Sequence, residues 1–224
     1  MTLLFIVVLI AIFGYFAMKV YQHDNTTFYK LTGYSYLDVW TNKKIRTTHK
    51  LVSVLDEVKG PHKIVVNVQL PTNEALQPID AVLIHETGIY VINMLEMSGW
   101  INGREQDMQW TQLLHKKKSN LFNNPIHETE KLTLALQGQL PEVSEEVFES
   151  MVLFSNDCSF QNIELFSEQV DVMKSSSIKK WTKNLQQQQR LGETDIQTIY
   201  AALEGMMQVK NSASNVKKAV LSSN

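Results

Sequence analysis

The chain has almost no cysteine, no surplus of charge and no charged side chain in its first eighteen residues. Cys158 is the single cysteine in 224 residues, so no internal disulfide can form and a disulfide-stapled secreted scaffold is excluded. With no histidine near it in sequence, that thiol reads as a small buried or loop residue rather than a nucleophile. Lys and Arg number 21 against 23 Asp and Glu, a net charge of −2, which excludes a strongly basic nucleic-acid coat. A hydrophobic content of 44% also argues against disorder over most of the length. The six histidines (His23, His49, His62, His85, His115 and His127) contain no pair at metal-ligand spacing, so no zinc site is expected. Ser98-Gly99 lacks the flanking pattern of a nucleophile elbow. Gly99 and Gly103 are better explained by turns than by phosphate cradling. No internal repeat is present.

The uncharged stretch is itself informative. Met1 to Met18 is interrupted only by Thr2 and Gly14, and eighteen helical residues would span roughly 27 Å, close to the hydrocarbon thickness of a bilayer. Tyr15 and Tyr21 sit near its end, where amphipathic rings favour the interface. No basic residue precedes the run and Gly14 to Met18 is a poor cleavage motif, so residues 1–20 are expected to be an uncleaved transmembrane helix. Lys19, Lys30, Lys43, Lys44, Arg46 and Lys50 all follow it. That asymmetry orients a single-pass cell-membrane protein with its C-terminal domain in the cytoplasm.

Residues 21–41 read as a polar and aromatic connector. Leu51, Val52, Leu55 and Val58 recur at helical spacing until Gly60-Pro61. From His62 to Leu70, Ile64, Val66, Val68 and Leu70 alternate with polar residues as in a half-buried strand. A second strand is expected over about Ile79 to His85, a turn at Glu86-Thr87-Gly88, and a buried central strand from Ile89 to Leu95. Trp100-Ile101 starts a further short strand. A helix follows Asn123-Asn124-Pro125, with Ile126, Leu132, Leu134 and Leu136 as partial core positions. Met151 to Phe154 is a short buried strand, and Phe160 to Val172 carries weaker extended signals. Helices are expected over about Ser176–Arg190 and Thr194–Val209. The domain core spans 42–156, residues 157–210 extend it, and 211–224 form a flexible tail.

The order helix, strand, strand, strand, helix, strand resembles the core of the restriction-endonuclease-like fold, an α/β arrangement of a mixed sheet flanked by helices. Residues 42–156 resemble more specifically the nuclease-related domain known as NERD. The resemblance is carried by His62-Lys63-Ile64-Val65-Val66-Asn67-Val68-Gln69-Leu70-Pro71, Pro78-Ile79-Asp80-Ala81-Val82-Leu83-Ile84 and Gly88-Ile89-Tyr90-Val91-Ile92. Ser98-Gly99-Trp100-Ile101-Asn102-Gly103, Trp110 and Asn124-Pro125 continue it. What it implies is metal-dependent cleavage of a phosphodiester. An Asp on one hairpin strand and a Glu on the next would bind a divalent ion, and a Lys two residues on would share that strand face. Metal and Lys together would activate water and stabilise developing charge.

This sequence departs from that pattern. Asp80 matches the hairpin Asp and is the one candidate metal ligand, but Asn93 stands where the family expects Glu and Leu95 where it expects Lys. An upstream helical Glu, which often completes such sites, falls near Thr48. Asn93 brings no charge, and Mg²⁺ favours carboxylates. Glu86, Glu96, His49 and Lys50 are the neighbours that could compensate, although strand alternation turns Glu96 away from Asn93 and Leu95. Each missing catalytic group costs about 10²–10⁴ in rate. A degenerate nuclease domain is therefore expected, with no cofactor, and with Mg²⁺ required only if activity persists.

Three basic clusters remain: Lys43-Lys44-Ile45-Arg46, His115-Lys116-Lys117-Lys118, and Lys179-Lys180-Trp181-Thr182-Lys183. They could follow a phosphate backbone with Trp40 or Trp181 for stacking. The plainer reading is solvated faces, or anionic-lipid contact for the membrane-proximal cluster. Two functional classes follow. One is a non-enzymatic, membrane-anchored module for nucleic acid or a membrane-protein partner. The other is a membrane-associated nuclease rewired around Asp80. A purely structural anchor shares every feature of the first.

Overall fold

The computed structural model describes residues 1–71, 76–114, 118–185 and 188–210. The chain divides into two compact units, one of residues 1–53 with 209–224 and the other of residues 54–208.

The first unit begins with α1 (Thr2–Asp24), whose mean hydropathy of 2.3 makes it long and apolar enough to cross a membrane. The expected connector is largely helical. Thr26 caps α2 (Thr27–Thr32) by accepting the Tyr29 N–H, and Gly33 ends it at φ 68°. Ser35 and Asp38 then form a capping box for α3 (Tyr36–Thr41). The His23 ring bonds the Tyr34 carbonyl at 2.7 Å and lies among Phe28, Tyr29, Tyr36 and His49. Next comes α4 (Lys43–Leu55), close to the helix expected from the Leu51 to Val58 pattern.

The second unit holds two sheets. The first has the order β1-β2-β3-β7-β9, made of β1 (His62–Pro71), β2 (Leu76–His85), β3 (Gly88–Leu95), β7 (Phe148–Phe154) and β9 (Val170–Lys174). Neighbours β1, β2 and β3 run antiparallel, while β3–β7 and β7–β9 are parallel. A parallel neighbour needs a long crossover, and α5 (Pro125–Gln139) lies within it. The order α4, β1, β2, β3, α5, β7 is that of the restriction-endonuclease-like core the resemblance implied. Val82, Ile84, Ile89 and Val91 pack with Leu136 of α5 and with Ile196, Ile199 and Leu203 of α7 (Glu193–Glu204) in one buried cluster.

The alternation expected along β1 slips once. Val65 and Val68, an odd number of residues apart, share that cluster, as do Ile79 and Val82 on β2. Asn67 lies between the first pair at φ 51°, a left-handed conformation that Asn tolerates better than most side chains. Asp80 lies between the second pair. Outside β1, the Gln69 N–H bonds the Met206 carbonyl and the Gln208 N–H bonds the Asn67 carbonyl, so the sheet edge is covered.

The short strand expected from Trp100-Ile101 belongs to a second sheet. Its order is β6-β5-β4-β8, from β4 (Gly99–Arg104), β5 (Gln109–Leu113), β6 (Ser119–Asn123) and β8 (Cys158–Glu164). Trp110 is fully buried, lies parallel to Phe154 at 6.2 Å, and donates its indole N–H to the Arg104 carbonyl. With Ile101, Ile126, Val152 and Cys158 it joins the two sheets in a second core cluster. The extended signals of Phe160 to Val172 belong to two strands in different sheets, because β8 pairs with β4 and β9 with β7. Two expectations need correction. The helix expected over Ser176–Arg190 is only α6 (Ile178–Lys183), and residues 186–187 lie outside the described residues. Leu134, placed in the core by spacing, is 65% exposed. The expected tail lies outside the described residues.

Candidate functional site

The hairpin β2–β3 brings the expected site positions together. The β2–β3 ladder runs from His85↔Gly88 to Ala81↔Ile92, so Asp80 and Asn93 are the next residues on the two strands. Beyond that point β3 continues with β7, pairing Met94 with Leu153 and Leu95 with Phe154. The Asp80 carboxylate accepts the Met94 backbone N–H at 2.8 Å. A side chain thus replaces the ladder bond where the ladder stops, and an N–H that needs a partner receives one.

Asn93 is half-buried, and its amide donates to the Thr129 hydroxyl of α5 at 3.0 Å. Thr129 in turn donates to the Pro125 carbonyl at 2.7 Å. The Asn93 side chain is thereby tied into neutral hydrogen bonds. Leu95 packs against the second core cluster with Met97, and its carbonyl accepts the Ser155 N–H at 2.8 Å. Among the described residues, no group of three or more His, Cys, Asp or Glu side chains is placed to hold a metal ion.

The compensating neighbours fare differently. Glu86 lies six residues along the chain from Asp80, beyond the end of β2, a separation of roughly 20 Å at strand rise. Its carbonyl accepts the N–H groups of Arg190 and Leu191. Glu96 follows β3 on the exposed surface. Thr48, His49 and Lys50 lie on α4 within the first unit, where Thr48 donates to the Lys44 carbonyl. Burial, with His23 and Lys50 nearby, pushes the His49 pKa down.

A second polar cluster occupies the other end of β3. The Tyr90 hydroxyl bonds Thr87, Thr87 bonds His85 Nδ1, and His85 Nε2 bonds the Lys59 carbonyl, each at 2.8 Å. The chain of bonds closes with the proton on Nε2, so His85 is a satisfied buried histidine. Trp181, considered for base stacking, instead packs edge-on against Tyr90 at 4.9 Å and donates its indole N–H to Asp171. Lys179 pairs with Glu57. Glu149 bonds Arg190 at 3.1 Å, yet burial still pushes its carboxyl pKa up. Cys158 is buried, its thiol donates to the Ser155 carbonyl, and burial pushes its pKa up too.

The basic residues are divided. Lys43, Lys44 and Arg46 belong to the first unit, whereas Lys116 and Lys117 lie outside the described residues. Lys118 lines a half-open cavity of about 670 Å³ in the second unit, with Ser98, Gly99, Trp100, Asp157 and Ser159 among its walls. Ligand pockets are commonly of this size. Trp100 is 57% exposed there. Neither this cavity nor the role of Thr129 follows from local sequence. Threonines four residues apart on the buried face of α5, Thr129 and Thr133, were the signal that a polar group faced that helix.

The model of the nuclease-related domain (NERD) family matches residues 43–155, half of the chain, and the chain belongs to that family. An uncharacterized protein of Bacillus anthracis is 32% identical over 126 residues, 54% of this chain and 56% of that protein. The chain therefore spans little more than half the length of the curated relative it matches. The small subunit of the heterodimeric restriction endonuclease R.BspD6I is similar at 12% identity and a TM-score of 0.27, over 75% of this chain and 85% of that one.

Proposed function

We propose that this NERD-domain protein is membrane-anchored through α1, has lost phosphodiester hydrolysis, and serves as a binding module for nucleic acid or a membrane-protein partner. The observation that carries the loss of hydrolysis is the state of Asn93 and Leu95. One is held in neutral hydrogen bonds to α5 and the other packs with apolar side chains, where a metal-dependent nuclease needs charge. The positive-inside rule, applied to Lys19, Lys30, Lys43 and Lys44, supports a cytoplasmic second unit. The cavity beside Trp100 and Lys118 supports a retained binding role, because an exposed indole offers a stacking surface and a lysine a phosphate contact. No cofactor is needed for this role. The second reading, a Mg²⁺-dependent nuclease rewired around Asp80, rests on the retention of that one carboxylate.

The test incubates the full chain in detergent, beside Asp80→Ala, with single- and double-stranded DNA and RNA in Mg²⁺ or Mn²⁺. Intact substrate on denaturing gels supports lost hydrolysis, and a native-gel shift then assigns the module to nucleic acid. Cleavage that needs metal and disappears in Asp80→Ala overturns the proposal in favour of the rewired nuclease.

A further inference from the structure

The short helix α3 is amphipathic in a direction that a water-facing surface does not explain. Val39 is buried, whereas Leu37 is 52% and Trp40 is 70% exposed, and residues three apart share a helix face. A large indole and a leucine side by side on an exposed face mark an interaction surface. The position of α3 narrows the choice of partner. Tyr36, its first residue, packs edge-on against Phe16 of α1 with ring centroids 5.9 Å apart. Phe16 belongs to the last turn of the apolar run that ends at Met18. Lys19 marks the same level, its ammonium 5.6 Å from the Tyr15 ring centroid. The start of α3 is therefore level with the end of the apolar segment, where a spanning helix passes from acyl chains to headgroups.

Charge follows directly. Lys43 and Lys44 at the start of α4 are exposed. The Arg46 guanidinium donates to the Trp40 carbonyl at 2.9 Å, which holds a cation at the end of α3. The acidic residue of this helix, Asp38, is engaged by Ser35 and Lys210. An indole beside clustered cations fits the headgroup region of an anionic bilayer.

We infer that Leu37 and Trp40 of α3 lie in the headgroup–acyl boundary while Lys43, Lys44 and Arg46 contact anionic lipid headgroups, forming a collar around the exit of α1. This inference rests on the reading of α1 as a membrane anchor. It assigns the first basic cluster to lipid rather than to nucleic acid. The collar also restrains the direction in which the chain leaves the membrane, because α3 is fixed both to α1 and to the surface.

The test reconstitutes the full chain into vesicles of phosphatidylcholine with phosphatidylglycerol, using lipids brominated at shallow acyl positions, and follows tryptophan quenching. Trp40→Phe, an exposed and conservative change, is expected to lose most of the quenching. Lys43→Gln/Lys44→Gln/Arg46→Gln is expected to lose the dependence of quenching on phosphatidylglycerol. Equal quenching in wild type and Trp40→Phe overturns the inference. So does a triple variant that keeps its lipid dependence, or one whose only loss is in oligonucleotide binding. Alkaline carbonate extraction separates the two levels. A chain that is extracted refutes the anchor and the collar together, whereas a retained chain with an unquenched Trp40 refutes the collar alone.

Discussion

Asp80 holds the carboxylate that a nuclease would use, yet its oxygen accepts the Met94 N–H at 2.8 Å. A structural clamp and a metal ligand respond differently to two substitutions. Asp80→Ala leaves the Met94 donor unpaired, a loss of about 1–3 kcal/mol when such a group is buried. Because Met94 is half-buried and water can partly replace the acceptor, the lower part of that range applies, about 1–2 kcal/mol. At about 2–4 °C per kcal/mol for a domain of this size, the melting temperature should fall by roughly 2–8 °C. Asp80→Asn keeps an oxygen in the same place and forfeits only the charge on the acceptor, so its cost should stay below about 1 kcal/mol. The assay is thermal unfolding of the full chain in detergent, with EDTA or with Mg²⁺. The clamp predicts the order wild type, Asn variant, Ala variant, with no dependence on Mg²⁺. An Asn variant as unstable as the Ala variant would refute this reasoning. Stabilisation of the wild type by Mg²⁺ that Asp80→Asn abolishes would refute it as well, by making Asp80 a ligand.

Gly103→Ala tests the joint between the two sheets. An added Cβ would lie 2.2 Å from Cγ of the fully buried Trp110, and a packed core resists moving a buried indole, so a loss of about 1–3 kcal/mol is expected. A near-UV circular dichroism spectrum and melting temperature equal to wild type would contradict it. Asp38 supplies a pH test in the first unit. Lys210, then Ser35, hold its pKa at about 2 instead of 3.8, so the stability it lends is complete above about pH 4 and is lost as pH falls from there towards 2. Lys210 is nearly half exposed, so screening limits the gain from the pair to below about 1 kcal/mol. The difference between wild type and Asp38→Asn should shrink over that interval, and a constant offset down to pH 2 would refute the assignment.

Local sequence determined much of this protein, because the signals concerned lie within a few residues of one another. The uncharged run through Met18 defines α1. The apolar runs on either side of Glu86-Thr87 define the β2–β3 hairpin, and Asn124-Pro125 starts α5 with a capping side chain and a proline at the first turn. The absence of charge at Asn93 and Leu95 could also be read directly, since it is a matter of residue identity within a recognisable hairpin. Tertiary structure alone decided what those positions do. Asn93 meets Thr129, 36 residues later, and Leu95 meets a core assembled from β4, β5, α5, β7, β8 and β9. The parallel pairing of β4 with β8 and the division of Phe160 to Val172 between two sheets depend on long-range partners that local alternation does not name. Trp181 looked like a free stacking platform because its neighbours are lysines, but the fold sets Tyr90 and Asp171 against its ring. The slip at Asn67 and Asp80 is of the same kind. Period-two patterning tells which residues are apolar, whereas the face each one occupies is settled by the helices that the finished sheet must bury.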